Sequence, residues 1–194
     1  MDENDLIARS REGDVDAFNS LVEQYQRLVY HLALRMLGNA EAAEDASQDA
    51  FISAYKAIGG FRGGSFKSWV LRIVANSCHD KLRVSRRYRV VSLETLMLDP
   101  DDLPQSNNNE SPEDYALRRE LGRFLNEGLA HLPEDQRLVV VLSDIQGLSY
   151  EEVARVASCS LGTVKSRLNR GRTRLRDYLL QREELLPPKF RLNK

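Results

Sequence analysis

Apolar residues recur at three- and four-residue steps through two blocks of this chain, and the segment between the blocks has no such period. In the first block Phe18, Leu21, Val22, Tyr25, Leu28, Val29, Leu32 and Met36 fall on one face of a helix. Asp14 or Asp16 can cap its start, and Gly38 stops it after Leu37. Asn39 caps a second helix through Ala43, Ala46, Ala50, Phe51, Ala54 and Ile58, closed by Gly59-Gly60. After a glycine-bearing loop, Phe66, Trp69, Val70, Ile73 and Val74 mark a third helix. From Ser92 to Ser111, Pro100, Pro104 and the run from Ser106 to Asn109 leave no helical period, so this stretch reads as a flexible linker.

The pattern resumes at Ser111-Pro112-Glu113-Asp114: a cap, proline at the first helical position and acids in the first turn. Leu117, Leu121, Phe124, Leu125 and Leu129 form its apolar face. Pro133 restarts the chain for a helix through Leu138, Val139, Val141, Leu142 and Ile145, closed by Gly147. Ser149 and Glu152 make a capping box for a helix to Ala157. A final helix runs from about Leu161 to Glu184. No strand-like alternation occurs. The expectation is an all-α fold of two small helical domains, residues 1–91 and 112–184, joined by an acidic linker at 92–111 and followed by a tail at 185–194.

Charge is distributed unevenly along the 194 residues, although the formal net charge is only −1. Lys81, Arg83, Arg86, Arg87 and Arg89 form a basic stretch without acids. Seven acids from Glu94 to Asp114 follow without a base. Lys165, Arg167, Arg170, Arg172, Arg174 and Arg176 form a second basic stretch. Two basic helices on small domains point to a polyanionic partner. No apolar run is long enough to cross a membrane, so direct membrane insertion is not expected. The acidic start, Met1 to Asp5, reads as no secretory leader, and a cytoplasmic location is the expectation.

The segment Ser149 to Arg176 carries the most specific signal. A short helix, the turn Ser158-Cys159-Ser160 and a second helix form a helix-turn-helix. Val153, Ala154, Ala157, Cys159 and Val164 fall where crossing helices need small or apolar contacts. The exposed side of the second helix would present Lys165, Ser166, Asn169 and Arg170 to base edges in the major groove. Thr163, Arg167, Arg172 and Arg174 would contact phosphates. A second constellation runs from Gly59 to Trp69, where Phe61, Arg62, Ser65, Phe66 and Lys67 sit among glycines. Aromatic and cationic side chains together suit a single strand with an unstacked base. Trp69 is read here as a core residue and Phe61 with the loop backbone as the ligand surface.

Neither cysteine has a CxxC partner, and Cys78-His79 lack companions at metal spacing, so no metal and no cofactor are expected. No phosphate loop or nucleophile-base set is present, which argues against an enzyme.

These motifs together resemble the bacterial sigma factors of the extracytoplasmic-function (ECF) class. The resemblance rests on Glu44-Asp45-Ala46-Ser47-Gln48-Asp49-Ala50-Phe51, on Phe61 to Asn76, on Leu132-Pro133-Glu134, and on Gly147 to Ala154 with Gly162 to Arg167. It implies an N-terminal half that binds core RNA polymerase and the −10 promoter element. Asp45, Gln48, Asp49 and Phe51 would dock on the beta prime coiled coil. Phe61, Arg62, Ser65, Phe66, Asn76, Lys81 and Arg83 would hold the −10 strand. The C-terminal half would read the −35 element and meet the beta flap. An anti-sigma factor is the implied regulatory partner. The alternative is a stand-alone helix-turn-helix regulator that binds a palindromic operator as a dimer.

Overall fold

Short polar side chains start six of the helices, Ser65 among them with its Oγ accepting the Ser68 N–H at 3.1 Å. Asp14, Asn39, Ser111, Ser149 and Ser160 each accept the backbone N–H three residues on, at 2.8–3.3 Å. The computed structural model describes residues 2–88 and 111–182. The linker at 92–110, the tail at 185–194 and the expected end of the last helix at Glu184 lie outside the described residues.

Eight α-helices make up the described chain: α1 (Glu3–Arg11), α2 (Val15–Leu37), α3 (Ala40–Ala57), α4 (Phe66–Tyr88), α5 (Pro112–Ala130), α6 (Glu134–Val140), α7 (Tyr150–Val156) and α8 (Leu161–Leu180). No strand occurs among the described residues. Gly38 takes the left-handed conformation at φ 73° and donates its N–H to Leu34 O at 2.8 Å, ending α2 as its glycine implies.

Three features were not read from the sequence. The first is α1. It buries only Leu6, Ile7 and Ser10, too few apolar positions to show a period, and it is tied down by tertiary contacts. Arg9 forks onto Asp14 at 2.7–2.9 Å, and the Tyr25 hydroxyl donates to the Glu3 carboxylate. Burial and that carboxylate push the Tyr25 phenol well above its ordinary range. The second is the end of α6, where Val141–Ile145 widens into a π turn. The third is the relation of the two halves. The apolar core of α2–α4 continues into that of α5–α8, because α5, α6 and the π turn pack on α2 and α7 packs on α4.

Candidate nucleic-acid interface

The helix-turn-helix forms from local chemistry. Ser149 Oγ accepts the Glu152 N–H at 3.3 Å, and the Glu152 carboxylate accepts the Ser149 N–H at 2.9 Å. That backbone donor holds the Glu152 carboxyl below its usual range. After α7, Ser158 adopts φ 50° and Cys159 N–H donates to Ala154 O at 3.1 Å, the hydrogen bond of a Schellman turn with serine in the glycine position. Val153, Val156, Val164 and Leu168 are fully or almost fully buried between the two helices and α6.

On the outer side of α8, Lys165, Ser166, Asn169 and Arg170 are all exposed. They lie at i, i+1, i+4 and i+5, which places them on one stripe of the helix. Arg170 Nε donates to Ser166 O at 3.2 Å, lying back along its own helix. Thr163 is half-buried in the first turn, its hydroxyl 2.9 Å from that of Ser160. The other three residues read as phosphate contacts already have partners within the chain. Arg167 pairs with Asp135, Arg172 forks onto Asp144 at 2.5–2.9 Å, and Arg174 donates to Gln136 Oε1 at 2.8 Å. These side chains brace α8 against α6 and the π turn. The Asp144 hydrogen bond raises the Arg172 pKa still further. The sequence hides this because the partners lie 28 to 38 positions away.

The second constellation forms a cavity of about 600 Å³ lined by Gly60 to Ser65, Ser68, Trp69, Arg72 and Arg155. Gly63 and Gly64 both have φ 91°, a left-handed backbone that side chains other than hydrogen resist. Ser65 Oγ accepts the Ser68 N–H at 3.1 Å and so caps the start of α4. The aromatic assignments change in part, although Phe61 does line the cavity. Phe61 and Phe66 are 6% and 1% exposed; they meet each other edge-on at a centroid distance of 5.9 Å and lie tilted against Trp69 and Tyr25 at 5.2–5.4 Å. Full burial of such a ring contributes about 1.5–3 kcal/mol, which spacing alone cannot apportion among three neighbouring aromatics. Trp69, expected in the core, is half-buried at the cavity wall. Arg62 and Asn76 are exposed. Arg72 and Arg155 are cavity residues the sequence reading missed. Trp69, Arg72 and Asn76 stand at i, i+3 and i+7, a spacing that could have found Arg72. Lys81 pairs with Asp49 at 3.2 Å, and Arg83 with Asp80 at 2.8 Å.

A third surface lies on α3. Asp45, Gln48 and Asp49 are exposed, opposite the buried Ala43, Ala46, Ala50 and Ala54. Phe51 is half-buried against the core, whereas Ile52 and Tyr55 are 54% and 39% exposed and continue the Asp45-Gln48 stripe. They too were missed, although the helical step from Asp45 reaches both. Among the described residues no group of three His, Cys, Asp or Glu side chains is placed to hold a metal ion.

Residues 21–88 match the Sigma-70 region 2 family, and residues 125–175 match Sigma-70, region 4. The RNA polymerase sigma-H factor of Pseudomonas aeruginosa is 38% identical over 171 residues, covering 86% of this chain and 88% of that protein. The ECF RNA polymerase sigma factor SigE of Mycolicibacterium smegmatis is 39% identical over 172 residues. That match spans 89% of this chain but only 65% of the longer relative. The fold is similar to that of the sigma factor RpoE of Bartonella quintana, solved with the anti-sigma factor NepR: TM-score 0.63, 24% identity, 85% of this chain and 98% of that one. On these similarities, with a helix-turn-helix and a glycine-cornered aromatic cavity on one all-helical chain, the protein belongs to the ECF RNA polymerase sigma factors.

Proposed function

We propose that this chain directs core RNA polymerase to promoters through three separate surfaces. The exposed stripe Lys165, Ser166, Asn169 and Arg170 reads the −35 element as duplex. The cavity walled by Arg62, Ser65, Trp69 and Arg72, with Asn76 beside it, captures a base of the −10 strand. The α3 stripe Asp45, Gln48, Asp49, Ile52 and Tyr55 docks on the beta prime coiled coil, and the C-terminal half meets the beta flap. The observation that carries this reading is the presence on one chain of a groove-fitting helix and a cavity of about 600 Å³ with room for an unstacked base, which suit duplex and unpaired DNA respectively.

The protein acts by binding rather than by catalysis, in the cytoplasm, and needs no cofactor. An anti-sigma factor is its regulatory partner, a reading supported by the Bartonella neighbour solved with one.

Two substitutions test the assignment. Lys165→Ala is expected to weaken −35-dependent transcription by the equivalent of about 1–3 kcal/mol and to relax preference at one base pair. A uniform loss across −35 variants would reduce Lys165 to a phosphate contact. Asp45→Arg is expected to weaken holoenzyme formation while leaving helicity unchanged. Unaltered affinity for core polymerase would remove α3 from the docking surface.

A further inference from the structure

The aromatic wall of the cavity rests on a second layer that none of the three surfaces uses. Phe61 and Trp69 line the cavity, with ring centroids 5.2 Å apart. Phe66 is 1% exposed and is not part of the lining, yet it packs against both rings, 5.9 Å from Phe61 and 5.4 Å from Trp69. Tyr25 of α2 lies tilted against Phe66 at 5.4 Å. Its hydroxyl donates to the carboxylate of Glu3, in the first turn of α1. Burial and that carboxylate hold the phenol above its ordinary range, so it keeps its proton and stays the donor.

α1 reaches the cavity by a second route. It packs on the turn Ile58–Gly60, which closes where Phe61 N–H donates to Ile58 O at 3.0 Å. Gly60 and Phe61 begin the cavity lining. The helix is itself fixed. Leu6 and Ile7 are buried, Ser10 Oγ donates to Leu6 O at 2.6 Å, and Arg9 forks onto Asp14, the cap of α2. Yet α1 lies ahead of the residues that match region 2 and supplies none of the three surfaces.

Protein interiors are packed like organic crystals and pass a displacement from one layer to the next. Ring pairs also prefer particular tilts, so a tethered ring limits how its neighbours sit. Without Glu3, Tyr25 keeps its apolar packing but loses the directional bond at its far end. Phe66 then gains room to tilt, and Phe61 and Trp69 tilt with it. A base held by stacking on those rings feels the change.

We infer that Glu3 and Tyr25 are positioning residues for −10 capture: their hydrogen bond sets, through Phe66, the stance of the rings on which the base stacks. This rests on the reading of the cavity as the −10 site. Neither residue lines the cavity, so both act through Phe66.

The experiment has two arms. In the free full chain, acrylamide quenching of the single tryptophan, Trp69, reports the wall directly. In holoenzyme formed with core polymerase, binding is measured to a fork-junction promoter taken from the sites that the wild-type chain transcribes. Its unpaired −10 strand carries one abasic site at each position in turn. The captured base is the position where the abasic site weakens binding most, by about tenfold for a base stacked on the wall. Tyr25→Phe and Glu3→Ala are each expected to increase Trp69 quenching and to shrink that penalty to about threefold. The double variant is expected to do no more than either alone, because the two residues act as one unit. Glu3→Gln keeps an acceptor oxygen and is expected to restore wild-type behaviour in both arms. The penalty for a mutated −35 element is expected to stay at its wild-type value, which a general loss of stability would not spare. Trp69 quenching that neither variant changes overturns the proposal. So does quenching that changes while the abasic penalty does not, or −10 and −35 penalties that fall together. A wild-type holoenzyme with no abasic penalty anywhere in the −10 strand would overturn the reading of the cavity itself, and the proposal with it.

Discussion

Four glycines, Gly122, Gly128, Gly162 and Gly171, sit inside the helices of the C-terminal half, and the same substitution has opposite expected effects at Gly162 and Gly171. At Gly171 in α8, an added Cβ would stand 2.8 Å from Val140 Cγ2 and 3.4 Å from the Gln136 carbonyl oxygen. Val140 is 2% exposed and β-branched, so its methyl cannot turn aside freely. Relief requires α8 to move off α6 by several tenths of an ångström. At Gly162, in the first turn of α8, the nearest atom to such a Cβ is Ser160 Oγ at 3.8 Å, an ordinary contact. Alanine gains up to ~1 kcal/mol over glycine in a helix, less in the first turn. Overpacking a core contact costs ~1–3 kcal/mol. Gly162→Ala is therefore expected to stabilise by ~0.5 kcal/mol and Gly171→Ala to destabilise by ~1 kcal/mol net. Gly128→Ala falls between them, because its closest neighbour at 2.6 Å is Leu175 Cδ1, the free end of a flexible side chain. Urea unfolding of the three variants beside wild type measures the order. At ~2–4 °C per kcal/mol for a chain of this size, thermal melts resolve it too. Equal stabilisation by Gly162→Ala and Gly171→Ala would refute the close seating of α8 on α6, and with it the account of how the recognition helix is held.

Other expectations follow from local geometry. Ser158→Gly relieves the left-handed backbone of the turn and is expected to stabilise by ~0.5–1 kcal/mol in the same urea experiment; destabilisation would mean the hydroxyl has an unrecognised role. In native protein a thiol reagent is expected to modify Cys159 and spare Cys78, which is buried with its thiol at about 12, and to reach both in denaturant; two fast native thiols would contradict the burial of α4. The Glu152 carboxyl titrates lower in the folded chain than in the unfolded one, so its share of stability is complete above the unfolded value and is lost as pH falls through the folded one. Glu152→Gln is expected to flatten that acid-side decline, and a stability profile of unchanged shape would remove the capping box from it.

What could be read from the sequence was what acts over a few residues. The caps at Asn39, Ser111 and Ser149, the stop at Gly38 and the helix-turn-helix spacing each depend on neighbours within about five positions. So does the exposed stripe from Lys165 to Arg170. What could not be read depends on distant partners. Arg167, Arg172 and Arg174 read as free phosphate contacts until Asp135, Asp144 and Gln136 are seen beside them. Phe61, Phe66 and Trp69 are equally apolar in sequence, and the packing of Tyr25 from α2 on Phe66 leaves Phe61 and Trp69 as the rings at the cavity wall. The contact of Arg137 with Met36 joins residues 101 positions apart, and no pattern in either half announces it.

The central claim is that one chain gives RNA polymerase its promoters. In vitro transcription with core enzyme on a randomised promoter library, with and without this protein, tests it most directly. Start sites that appear only when the protein is added, sharing one sequence near −10 and another near −35, are the expected result. Duplex binding by the protein alone, with no start site that depends on it, would contradict the account and favour a stand-alone regulator.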